Sequence, residues 1–201
     1  MTQGSSKWIF VRHGESVANA EGWLSGFVDV PLTDEGERQA ESVADELRNV
    51  DITRIFSSDL IRAKDTAKAV AAVKGLEVIE NFALRERSLG DWAHRKYADV
   101  QASGGGDRLI SWWDAPPNGE SLGILAARVM PFLGTLGASG GATLVVAHGG
   151  VIRVICGLLD GVSIEEIGKN KIPNATPIVR VVPDGMFEAL AREVAHIEGE
   201  Q

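Results

Sequence analysis

Lys7-Trp8-Ile9-Phe10-Val11 ends at Arg12-His13-Gly14, and Ala142-Thr143-Leu144-Val145-Val146-Ala147 ends in the same manner at His148-Gly149-Gly150. Each run is short, mostly apolar at successive positions, and stopped by glycine, the pattern of a strand covered on both faces in a parallel sheet. Working outward, a helix over Val151 to Leu159 follows the second run directly. Thr33 before Asp34 and Glu35 reads as a helix N-cap, and Ala40, Val43, Ala44 and Leu47 recur at helical spacing, with an end expected near Asn49. Ile52 to Phe56 is a further strand, and Ser57-Ser58-Asp59 starts a helix through about Lys74 with Arg62 in its first turn. Leu76 to Ile79 is a third short strand. Leu122, Leu125, Val129, Phe132, Leu133 and Leu136 mark one apolar helix face after Pro117-Asn118-Gly119. Val179 to Val182 and Phe187 to Val194 read as closing strands around a Pro183-Asp184-Gly185 turn. Alternating strands and helices give an α/β class: a three-layer α/β/α sandwich whose sheet is mainly parallel with one antiparallel strand.

At 201 residues the chain suits one domain spanning 1–201 and one active site. Within it Ala98 to Pro117 is polar, glycine-rich and weakly periodic, so a lid or specificity segment is expected at about 98–118. Apolar residues make up 44% and charged residues 24%, which excludes the disordered and membrane classes. A net charge of -8 argues against nucleic acid or a membrane surface as partner, so any clustered arginines are local and informative. Cys156 is the single cysteine, which removes internal disulfides and thiolate metal clusters. With no signal peptide visible, a cytoplasmic location is expected.

His13 and His148 each lie just past a strand's carboxyl end, where open parallel sheets place their ligands. Arg12 and Arg62 bring planar guanidinium forks to the same crevice, suited to phosphate oxygens. A neutral imidazole attacks phosphorus well, and phosphoryl transfer otherwise asks for positioning and stabilised equatorial oxygens. A proton for the leaving oxygen is still needed. Glu86, in Leu84-Arg85-Glu86-Arg87 after the third strand, is the candidate acid, with Asp91 as its competitor.

These motifs resemble the histidine phosphatase superfamily, also called phosphoglycerate mutase-like. Its signature stands here as Arg12-His13-Gly14-Glu15-Ser16, with Asn19, Ser25-Gly26 and Pro31-Leu32-Thr33 leading to Gly36. A second block stands as Ser57-Ser58-Asp59-Leu60-Ile61-Arg62-Ala63-Lys64-Asp65-Thr66-Ala67, a third as Leu84-Arg85-Glu86 with Leu89-Gly90-Asp91-Trp92, and a fourth as Ala147-His148-Gly149-Gly150. The resemblance runs from residue 7 to about 182. It implies the phosphoglycerate mutase-like fold, His13 as nucleophile, Arg12, Arg62 and His148 as phosphate ligands, and Glu86 as proton donor and later base. Asn19, Ser25, Gly26 and Gly149 are implied as accessory phosphate contacts. No metal and no cofactor is implied.

Gly119-Glu120-Ser121 before a helix resembles the small-metabolite phosphatase branch, so the expected ligand is a small phosphorylated metabolite; a homodimer is left open. After Trp92 that branch usually has Glu-Gly, where this chain has Ala93-His94. The mutases carry paired arginines in a longer middle insertion, and here that stretch offers only Arg108. Two alternatives stay open beside a phosphatase: a bisphosphoglycerate-dependent mutase, and a non-catalytic module that binds phosphorylated ligands. Glu120 and His94 are open between ligand contact and plain structural roles, as are Trp112 and Trp113 between a pocket cap and a packing anchor, while His196 reads as a surface residue.

Overall fold

A computed structural model describes residues 4–200. Its strands are β1 (Ser5–Arg12), β2 (Ile52–Ser57), β3 (Val78–Glu80), β4 (Ala142–Ala147) and β5 (Pro177–Pro183). Its helices are α1 (Val17–Glu21), α2 (Asp34–Glu46), α3 (Ile61–Lys74), α4 (Tyr97–Ala102), α5 (Leu122–Thr135), α6 (Gly149–Leu159), α7 (Ile164–Ile167) and α8 (Met186–Gly199). The sheet order is β3-β2-β4-β1-β5, with β5 antiparallel to β1 and the other pairs parallel. None of the described helices is long and apolar enough to cross a membrane.

Strand alternation sorts the apolar residues onto two faces. Trp8 and Phe10 point to the side packed by α5, α6 and α8, and Ile9 and Val11 to the side packed by α2 and α3. Burying such a side chain contributes about 1.5–3 kcal/mol. β4 is buried at all six positions, as a central parallel strand should be. The arginine-histidine-glycine loop lies against the start of α2, where Thr33 caps the helix by accepting from Gly36 N at 3.0 Å. A Cβ on Gly36 would come 2.0 Å from the Glu15 carbonyl oxygen, so glycine is required there by space.

The closing region differs from expectation. Residues 187–194 are not a strand but the middle of α8, with Phe187, Leu190 and Val194 buried against α5. Their spacing of three and four is the helical period, not the alternation of a strand. The third strand is also shorter, beginning at Val78 rather than Leu76; it lies at the sheet edge with two of its three residues exposed. The glycine-rich stretch carries α4 and a 3-10 turn at Gly106–Leu109, and Val100 and Leu109 pack with Leu89 and Trp92 in a small core of their own.

Candidate active site

The register Arg12↔Ala147 between β1 and β4 brings the two histidines side by side as the strands end. His13 N donates to Ala147 O at 3.0 Å, and the two rings stand 5.1 Å apart, edge to face at 61°. His13 Nδ1 lies 2.6 Å from the Gly14 carbonyl. A carbonyl only accepts, so Nδ1 carries the proton and Nε2 keeps its lone pair. Burial first, then the charges of Arg62 and Arg12, push the His13 pKa well below the usual imidazole value. Burial, Arg62 and the neighbouring His13 do the same to His148. Both rings are therefore neutral at physiological pH.

Arg62 is fully buried in the first turn of α3 and donates to Val28 O at 3.0 Å and Gly26 O at 2.9 Å. Burial lowers its pKa to about 10, which leaves it charged. Arg12 is anchored at the far end of its fork by Ile172 O at 2.8 Å. After these bonds, Arg12 Nε, Arg62 Nε and both ring nitrogens of His148 are buried without a hydrogen-bond partner among the described residues. Native folds rarely tolerate such groups unless a ligand meets them. Thr66 ties the first two blocks together, accepting from Gly14 N at 3.0 Å while donating to Arg62 O at 2.8 Å.

A pocket of about 250 Å³ is lined by Arg12, Asn19, Ser25, Gly26, Glu86 and Gly149, whereas His13, Arg62 and His148 are buried next to Arg12, Gly26 and Gly149 and are not in its lining. The Glu86 carboxylate accepts from Arg87 N at 2.9 Å and from Gly150 N, in the first turn of α6, at 3.1 Å. Asp91 is exposed, holds Asn118 Nδ2 at 3.0 Å, and does not line the pocket. The Asn19 carboxamide oxygen accepts from Ser16 N at 3.2 Å and Asn174 Nδ2 at 3.3 Å, so its NH₂ end is the one left for a ligand.

Other residues fall elsewhere. Glu120 lies outside the pocket lining, bonded to Ser88 N and Arg128. Trp112 is a buried anchor donating to Glu198 Oε1 at 2.9 Å, and Trp113 is exposed. His94 lies outside the lining too, but stacks at 5.3 Å on Trp23, which belongs to it. At φ 67° it holds a left-handed conformation that glycine adopts without strain. His196 is exposed beside Glu200.

Sequence reasoning missed Asn174, whose Nδ2 also donates to His13 O at 2.8 Å, and the wall residues Arg87, Tyr97 and Arg153. For Arg153 a signal existed: it stands one helical turn after Gly149 on the same face of α6. Arg108 is exposed, and the extra cations of the pocket come from Arg87 and Arg153 instead.

The chain matches the family described as Histidine phosphatase superfamily (branch 1) over residues 8–192. It is 34% identical over 184 residues to a 2,3-bisphosphoglycerate-dependent phosphoglycerate mutase of Mesorhizobium japonicum, covering 85% of this chain and 89% of that one. It is 36% identical over 170 residues to a glucosyl-3-phosphoglycerate phosphatase of Mycolicibacterium vanbaalenii, covering 78% and 75%. Among solved structures, a mycobacterial glucosyl-3-phosphoglycerate phosphatase in complex with VO3 superposes with a TM-score of 0.81 at 30% identity, over 89% of this chain and 98% of that one.

Proposed function

The chain belongs to the histidine phosphatase superfamily, and we propose that it is a phosphatase that hydrolyses small phosphomonoesters through a phosphohistidine on His13. Residues 1–201 act as one domain in this reading, with 98–118 as its specificity segment. The observation that carries it is the set of buried, unpartnered donors on Arg12, Arg62 and His148 surrounding a neutral imidazole whose Nε2 is free.

In the first step Nε2 of His13 attacks phosphorus in line, the ester P–O bond breaks, and Glu86 gives a proton to the departing alkoxide. In the second, water attacks the phosphohistidine, Glu86 takes a proton from it, and orthophosphate leaves. Arg12, Arg62 and His148 hold the equatorial oxygens through both steps, with Asn19, Ser25, Gly26 and Gly149 around them. The charge comes from guanidiniums, so turnover in excess chelator is expected to equal turnover without it.

A test is brief exposure to ³²P-labelled substrate with an alkaline quench. Label on His13 is the expected result, and label only on Ser16 or Ser25 would overturn the mechanism. The mutase reading keeps a foothold because Arg87 and Arg153 supply pocket cations for a second anionic group. Incubation with 3-phosphoglycerate, with and without 2,3-bisphosphoglycerate, separates the two. Primer-dependent 2-phosphoglycerate, formed faster than phosphate is released from any monoester, would make the enzyme a mutase.

A further inference from the structure

Glu86 is carried by a short stretch of irregular chain, a 3-10 turn at Phe82–Leu84 and the residues after it, whose carbonyls have few partners of their own. One side chain collects them. From α5, Arg128 NH1 donates to Phe82 O at 3.3 Å, Ala83 O at 2.9 Å and Arg85 O at 3.1 Å, and NH2 donates to Glu86 O at 3.2 Å. The same fork is aligned by Glu120, with Nε to Oε1 at 3.2 Å and NH2 to Oε2 at 2.9 Å. Glu120 completes the clamp on the far side, accepting from Ser88 N at 2.7 Å while its own N donates to Ser88 O at 2.8 Å.

The backbone is thus fixed both before and after Glu86. The two side chains are only 14% and 18% exposed, and the guanidinium lies over the rings of Phe27 and Phe82 at 5.7 and 5.6 Å. Taking such a pair out of water is costly, and hydrophobic residues of similar volume often stabilise as well, so stability is a weak reason for it here. Only a guanidinium has the planar array of donors that reaches four carbonyls and a carboxylate together. Neither residue lines the pocket, and their polar atoms are spent on the Glu86 loop and on each other, unlike the unpartnered atoms of Arg12, Arg62 and His148.

We infer that the Arg128–Glu120 pair is a positioning device for proton transfer, holding the Glu86 carboxyl at hydrogen-bonding distance from the leaving oxygen. The inference rests on the reading of Glu86 as the acid. Its specific consequence is that damage to the clamp resembles damage to Glu86 rather than general destabilisation.

The test compares E86Q, R128M and E120Q on phenyl phosphate, whose leaving group needs a proton, and on 2,4-dinitrophenyl phosphate, whose leaving group departs without one. For R128M and E120Q, kcat on phenyl phosphate is expected to fall about 10- to 100-fold, the size of effect that misplacing a reacting group produces. On dinitrophenyl phosphate it should fall less than about threefold, with KM for both substrates nearly unchanged. E120Q keeps the side-chain shape and carries the test should R128M fail to fold. A steep E86Q difference with equal losses on both substrates for R128M and E120Q overturns the inference alone. A flat E86Q series overturns the acid role of Glu86, and the inference with it.

Discussion

His13 and His148, the buried floor behind the pocket lining, are set by the register of two adjacent strands, whereas on its wall Glu86, Arg87 and Trp23 are set by side chains reaching for carbonyls or stacking on neighbours. Floor residues stand at the ends of buried elements, so moving one means slipping a strand past its partners. Wall residues hang on single arginine forks and ring contacts. The difference suits a family that includes both mutases and phosphatases: under the proposed function the floor would hold the phosphoryl group and the wall would decide what else is held.

The hardest blow to the floor is His13→Ala. Turnover is expected to fall by roughly 10⁴-fold or more, the scale of losing a nucleophile, with no acid-labile phosphate remaining on the protein. Residual activity within tenfold of the parent would break the distinction, because the floor would then not carry the chemistry.

The buried rings give the floor a pH signature. Both histidines are pushed well below their ordinary values, so the unfolded chain binds protons that the folded one refuses. Their stabilising contribution is present above an unfolded value near 6.5 and is lost as pH falls below it, at up to about 1.4 kcal/mol per histidine per pH unit. Urea midpoints at pH 7.5 and 5.5 measure the slope, and His148→Asn should remove about half of it. A midpoint that does not move between those values would mean the rings take up protons in place.

Gly150→Ala probes the seam between floor and wall. A Cβ there would lie 2.3 Å from Glu86 Oε1, so the carboxylate must move, and kcat should fall about 10- to 100-fold with little change in KM. Unchanged kcat would mean the wall tolerates displacement where the floor does not.

The smallest effect is expected at His94→Gly. Relief of a left-handed backbone and loss of the Trp23 stack oppose each other, leaving stability within about 1 kcal/mol of the parent. KM across a panel of phosphomonoesters should shift more than kcat. A loss confined to kcat would place His94 with the floor.

The same contrast governs what the sequence disclosed. β1 and β4 were legible because residues buried on both faces leave a continuous apolar run, and each histidine is the residue after its strand ends. Thr33 was legible as a cap, whereas Gly36 stood only as a position of the family signature, and its close approach to Glu15 depends on how the loop meets α2. α8 was not, because the Pro183-Asp184-Gly185 turn suggested a hairpin, although Phe187, Leu190 and Val194 recur at helical spacing. Asn174 left no local sign, since its role comes from the chain leading into β5 passing behind His13, a relation between residues 161 positions apart. Arg128 has no reading in the sequence beyond its place between Leu125 and Val129 of the apolar face. What made it a clamp was the set of carbonyls presented by a distant loop, and carbonyls leave no mark on composition.

The sheet order has a consequence during synthesis. β1 is made first, yet its partners are β4 and β5, and β2 never touches it. When the ribosome has released β1, β2 and the arginine of α3, the strand that leads into His13 still has two open edges. It can dock only after residue 142 has emerged, and Asn174 and the Ile172 carbonyl come later still. Long-range pairing of this kind is slow, and an unpaired apolar strand is a ready template for other chains. The nascent chain therefore carries Arg12 and His13 long before the elements that bury them exist, an interval in which β1 is open to pairing with other chains.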